Sequence, residues 1–147
     1  RELVSDMRTA KFEDEIMRIS QILKAAEMEF VFEGDKNALQ VPPLVENVLS
    51  MCLKEAVNNV VKHSGATKCE IAFHQNFKEV YLVVRDNGQG ITKKQAWRTG
   101  NGLKGMRERL EFINGSFKIE SVEGTTLTVT IPVAITHQNV KDNLKNI

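Results

Sequence analysis

In the stretch CLKEAVNNVVKHSG, Glu55, Asn59, Lys62 and His63 recur at offsets of four, seven and eight, so a helix through them carries all four on one stripe. An acid and an amide one turn apart present oxygens in one direction, which suits a hard cation such as Mg²⁺ that keeps several waters and also binds phosphate. A lysine or histidine one turn further on is placed to meet the phosphates themselves. A solvated helix face with an i, i+4 pairing accounts for the same residues, and a lone histidine there is as readily a cap. A second group is RDNGQGI, residues 85 to 91. Asp86 offers a carboxylate to an exocyclic amine, while Gly88 and Gly90 let the backbone pass close to a flat ring. An ordinary Asn-Gly turn explains this stretch equally well on its own. The third group is TGNGLKGM, where glycines at 100, 102 and 105 open a periodic segment. Free N–H groups and a positive dipole end make a helix start a cradle for an anion, and glycines before it allow close approach.

The glycine spacing is neither that of a P-loop nor that of a dinucleotide-binding turn. Between the two glycine groups, ITKKQAWRT is polar and basic, as expected of a flap over a nucleotide or of a plain solvated loop. Charge is balanced, with 20 basic and 19 acidic residues, so no footprint for nucleic acid or a membrane surface shows over the whole chain. Cys52 and Cys69 sit in apolar stretches without metal-ligand spacing and read as buried free thiols of a reducing compartment. No apolar run approaches the roughly 18 to 20 residues that cross a bilayer.

The elements that must position these groups follow from periodicity. The 147 residues, 41% hydrophobic and 27% charged, suffice for one domain with a sizeable core. Residues 1 to 27 read as helical, with Phe12, Ile16, Ile19, Ile22 and Leu23 on one apolar face. EFVFEG is a short strand. Pro42 or Pro43 suits the first turn of a second helix running to about His63, with Leu49, Leu53, Ala56 and Val60 inward. KCEIAFH and EVYLVVRD form a hairpin whose second strand, apolar on both faces, belongs in the centre of a sheet. Leu103, Met106, Leu110 and Ile113 mark a third helix stopped by Asn114-Gly115, and SFKIESV with TTLTVTIP makes a second hairpin across Glu123-Gly124. The tail after Pro132 is polar. This order predicts an α/β (α+β) fold, a mixed sheet with its helices on one face.

Taken in order, the segments resemble the ATP-binding domain of histidine kinases, within the gyrase, Hsp90, histidine kinase and MutL superfamily. ExxxN with KH matches the N box, DNGQG the first glycine box, GNGLKGM the second, and EGTTLTVTIP the closing hairpin, all within residues 45 to 132. GLKGMRERLEFINGS and LKEAVNNVVKHSGA are similar to the nitrate-sensor and DesK-like branch of bacterial two-component sensors. RELVSDMR resembles the end of that branch's dimerisation helix.

The resemblance implies a Bergerat-type two-layer sandwich, with the end of a dimerisation helix and a linker helix over residues 1–27, the ATP-binding domain over 28–132 and a polar tail over 133–147. It implies ATP and Mg²⁺ as ligands. Asp86 would bind the adenine amine and Thr125 would support that end; Asn59 would hold Mg²⁺ with Glu55 orienting water or metal. Gly88, Gly90, Ile91, Gly102 and Gly105 would shape the pocket, and the backbone of Leu103 and Lys104 would meet the phosphates, with Lys62 and His63 as further contacts. Family kinases phosphorylate a histidine followed by an acid on a separate helix. His63, His74 and His137 have no such setting, so the acceptor is expected on a dimerisation domain outside this chain. A response regulator would receive the phosphate. The intact protein is expected as a homodimer in the bacterial membrane, with this piece a monomeric cytoplasmic domain. A free-standing serine kinase of the anti-sigma-factor type is the main alternative, and an ATP-gated conformational module a third.

Overall fold

A computed structural model describes residues 11–34, 40–90 and 102–133. The chain there runs as helix α1 (Phe12–Ala25), strand β1 (Glu29–Glu33), helix α2 (Pro43–Asn59) continued by a π-helical turn (Val60–Ser64), strands β2 (Lys68–Gln75) and β3 (Glu79–Asp86), helix α3 (Gly102–Phe112), and strands β4 (Ser116–Glu120) and β5 (Thr125–Pro132). The five strands form one sheet in the order β1-β2-β3-β5-β4, with β1 parallel to β2 and every other pair antiparallel. β3 is central, as its apolar run predicts. The expected extent of the first helix before Lys11, the flap, Ile91, Gly100 and the tail from residue 134 lie outside the described residues.

Alternation along the strands makes the sheet two-sided. Cys69, Ile71 and Phe73 of β2, Val80, Leu82 and Val84 of β3, and Leu127, Val129 and Ile131 of β5 are buried and form one core with Phe12, Ile19 and Leu23 of α1, Leu49 and Leu53 of α2, and Leu103, Met106 and Leu110 of α3. Each such side chain contributes roughly 1.5–3 kcal/mol by leaving water. The opposite face carries half-buried Tyr81 and Val83 together with ion pairs from Glu70 to Lys68 and Arg85, which keep it wet. One helical layer on one sheet is the predicted sandwich. Ile22, counted on the inner face of the first helix, is instead 37% exposed at its edge.

The helix ends explain how the layer meets the sheet. α1 begins without a side-chain cap of its own, and the Phe12 N–H donates to the Glu46 carboxylate on α2 at 2.8 Å. It ends in a left-handed residue, Glu27 (φ 58°), with Met28 N–H reaching back to the Leu23 carbonyl. Pro43 occupies the first position of α2, where its missing N–H costs nothing. α3 stops as α1 does: Asn114 takes the left-handed place (φ 61°) and Gly115 N–H closes on the Leu110 carbonyl at 2.7 Å.

Candidate nucleotide site

The sheet register sets the site. β3 ends at Asp86 and β5 starts at Thr125, and the two residues are partners across the ladder. Alternation after Leu82 and Val84 turns the Asp86 side chain inward, under the helices, where it is only 4% exposed. Burial pushes its carboxyl above the ordinary aspartate value, opposed by backbone N–H bonds from Gly88 and Thr125; the Gly88 bond is 2.8 Å long. Beside it the Thr125 hydroxyl is buried and has no hydrogen-bond partner among the described residues. Gly124 (φ 112°) makes this approach possible, because a Cβ there would strike the Asp86 carbonyl oxygen.

Between α2, α3 and the sheet lies a cavity of about 30 Å³, walled by Ala56, Val60, Val84, Leu103, Ile119 and Leu127. Asn59, Asp86 and Thr125 supply its polar groups. An apolar slot with a few converging polar atoms suits a flat heterocycle whose edge carries an amine. The volume is far below the roughly 300 to 1,000 Å³ of a typical ligand site, so the slot in this conformation is too small for a whole base. The orphaned Thr125 hydroxyl and the under-used Asp86 carboxylate are what such a ligand would satisfy.

Other predicted residues fall elsewhere. Glu55 lines a separate groove of about 490 Å³ between α1, α2 and α3, with Gly102, Gly105 and Arg109. Its carboxylate lies where a Cβ on Gly102 would be. Lys62 and His63 stand exposed on the π-helical turn, because i→i+5 winding after Asn59 breaks the stripe expected from α-helical spacing. Lys104 is exposed on the first turn of α3, which carries no acidic residue of its own, although the Glu55 carboxylate lies against its first residue, Gly102. Gly88 lies flush against Ser64, and Gly90 (φ 82°) against Ser121.

Among the described residues no three of His, Cys, Asp and Glu are grouped to hold a metal ion. The Asn59 amide and the Glu55 carboxylate, which line different cavities, offer oxygen donors of the kind Mg²⁺ takes, and phosphate and water would have to supply the rest.

Residues 45–135 match the family of histidine kinase-, DNA gyrase B- and HSP90-like ATPases. This chain belongs to that family. Within it the resemblance to histidine kinases is borne out. The chain is 48% identical over 132 residues to the sensor histidine kinase DesK of Bacillus subtilis, covering 90% of this chain and 36% of that protein. It is 42% identical over 133 residues to YvfT of the same organism, covering 90% and 35%. The chain thus spans about a third of the length of these relatives. Its fold matches the histidine kinase domain of the blue-light activated kinase EL346 of Erythrobacter litoralis at a TM-score of 0.75 and 17% identity, over 92% of this chain and 68% of that one. The catalytic domain of histidine kinase ThkA matches at 0.70 and 20% identity, over 83% and 89%. As in the predicted fold class, this histidine kinase-like ATPase domain is a mixed α/β sandwich.

One feature of the site leaves no local signal in the sequence. Asn87 and Gln89, inside the first glycine box, are held by partners on other elements. The two cysteines are buried free thiols, as read, with burial pushing both up to about 12. No helix among the described residues is long and apolar enough to cross a membrane.

Proposed function

We propose that this chain is the ATP-binding catalytic domain of a two-component sensor histidine kinase, and that it occupies residues 28–132 between the end of a dimerisation and linker helix (1–27) and a polar tail (133–147). The observation that carries the reading is the buried pair at the strand ends: an acid able to accept from the adenine amine, next to a hydroxyl without a partner, in an apolar slot. Asp86 selects the base and Thr125 supports it. Asn59, with Glu55 one turn back, would hold Mg²⁺, which when bound neutralises charge on the phosphates. The phosphate end of the nucleotide runs toward the first turn of α3, where the backbone of Leu103 and Lys104 meets it; Lys62 and His63, exposed on the π-helical turn, would contact it only as further side-chain partners. Gly88, Gly90, Gly102 and Gly105 keep side chains out of the way, and Ile91 would complete the pocket.

The transfer itself needs little covalent help from the domain. A histidine ring nitrogen on the dimerisation domain, outside this chain, attacks the γ-phosphorus. The bond to the β–γ bridging oxygen breaks and ADP leaves; the phosphoryl group then passes to an aspartate of a response regulator. The intact protein is a membrane-anchored homodimer in this reading, and the domain works on its cytoplasmic side. The anti-sigma-factor-type serine kinase is disfavoured by the 48% and 42% identities to sensor histidine kinases.

Calorimetric titration with ADP and ATP, with and without Mg²⁺ and with GTP as control, tests the site. Saturable binding specific to adenine, followed by ATP-dependent labelling of a separately supplied dimerisation domain, is the expected result. Equal binding of GTP would remove Asp86 as the base-reading group, and labelling of serine instead of histidine would favour the alternative.

A further inference from the structure

We infer that Asn87 and Gln89 are positioning residues: from two sides they hold the loop after β3 in its nucleotide-binding shape before any nucleotide arrives. The inference rests on the proposed reading of the site.

Asn87 follows the inward-facing Asp86 and therefore turns outward, where it is exposed. Its Oδ1 accepts from the N–H groups of Thr67 and Lys68, each at 2.9 Å, and its Nδ2 donates to Thr67 Oγ1 at 2.9 Å. Its own N–H bonds to the Lys68 carbonyl at 3.3 Å. The amide thus uses both lone pairs of its oxygen and one of its N–H donors on the entry to β2. Gln89 reaches the other way. Its backbone N–H donates to the Ser64 carbonyl at 2.9 Å and its Nε2 to the His63 carbonyl at 3.1 Å. Those carbonyls belong to the last turn before Gly65 (φ 64°), where a helix has no N–H groups left to offer. Gln89 is their cap, supplied from 26 residues away.

Gly88 lies between the two anchors, and any side chain there would overlap the Ser64 carbonyl. The same residue donates its N–H to Asp86 Oδ1. Fixing residues 87 and 89 therefore fixes the bond that aims the Asp86 carboxylate, although neither amide lines the cavity. The sheet side of the slot is pinned at the end of the helix that carries Asn59. A loop ordered in advance spares the binding step that entropy, so loss of an anchor is felt as lost affinity.

The experiment compares ADP affinity, measured well below every melting transition, with thermal stability in wild type, N87A, N87D, Q89A and Q89K. N87A should bind roughly tenfold and Q89A roughly threefold more weakly, the ordering of the loop now falling on the binding step. N87D keeps the two acceptor bonds, and the lysine of Q89K reaches the same carbonyl at the negative end of the helix, so both should stay within about twofold of wild type. Lower melting of N87A and Q89A with unchanged ADP affinity would make the amides merely structural and overturn the inference. Wild type that binds no adenine nucleotide would overturn the site reading and this inference together, whereas unchanged variants beside a binding wild type sink this inference alone.

Discussion

Asp86, the last residue of β3, and Thr125, the first of β5, are ladder partners that bring a buried carboxyl and an unpartnered buried hydroxyl to one spot. An unsatisfied buried hydroxyl costs about 1–3 kcal/mol. Thr125→Val keeps the shape and removes that cost, so the nucleotide-free domain should melt higher while ATP binds more weakly. Unchanged ATP affinity would show that the hydroxyl never meets the ligand.

The pH dependence follows from burial of Asp86, which raises its carboxyl above the ordinary value of about 3.9. Between the ordinary and the raised value the folded chain holds more protons than the unfolded one, so this group's contribution to stability falls as pH rises through that window. The melting temperature of wild type should therefore drop relative to Asp86→Asn on going up through it. Nucleotide binding runs in the opposite sense: acid protonates the carboxylate that accepts the amine, and ADP affinity should fall as pH is lowered, beginning above the ordinary aspartate range. Titrations across that range check both signs, and a flat binding profile would remove Asp86 from base recognition.

Two glycines that both face acidic residues should respond differently to alanine. At Gly124 the added carbon meets the Asp86 backbone carbonyl, and φ is 112°. Neither can give way, and Gly124→Ala should cost at least about 2 kcal/mol in denaturant unfolding. At Gly102 the obstacle is the Glu55 carboxylate, the far end of a flexible side chain. Alanine also favours a helix over glycine by up to about 1 kcal/mol, so Gly102→Ala should fall within about 1 kcal/mol of wild type. A large loss there would mean that Glu55 cannot move.

Ser50 supplies a control for Thr125. Its hydroxyl, buried in α2, also lacks a partner among the described residues, yet it does not line the slot. Ser50→Ala should raise stability by about 1 kcal/mol and leave ADP affinity unchanged. A drop in stability would reveal a hydrogen bond that forms in solution.

The strands, both hairpins and the place of β3 are legible in the sequence because alternation is a local signal that the sheet then obeys. Asn114-Gly115 announces the end of α3, but Asn114 takes the left-handed place, while Gly115 is pressed among Leu110, Thr130 and Ile131. In the site, Asn59, Asp86, Leu103 and Thr125 converge on the slot, and their family motifs mark each of them. Lys62 and His63 do not, because a π-helical turn has no residue signature and α-helical spacing carries the count past Asn59 unbroken. Glu55 shares the stripe of Asn59, but α1 and α3, packed on that side, draw it into their groove. The roles of Asn87 and Gln89 are illegible for a different reason: their partners lie 19 and 26 residues away in the chain.

The two sulfurs give the fold a pair of internal clocks. Cys52 is in the helical layer and Cys69 in the sheet, the latter the ladder partner of Asp86, and both are almost fully enclosed. At neutral pH an alkylating reagent meets neither an accessible atom nor a thiolate, so each cysteine reacts only as often as its own layer opens. Modification timed separately at the two positions reads whether helices and sheet part together or in turn. Slowing at Cys69 on adding nucleotide would mean that the ligand has locked the sheet.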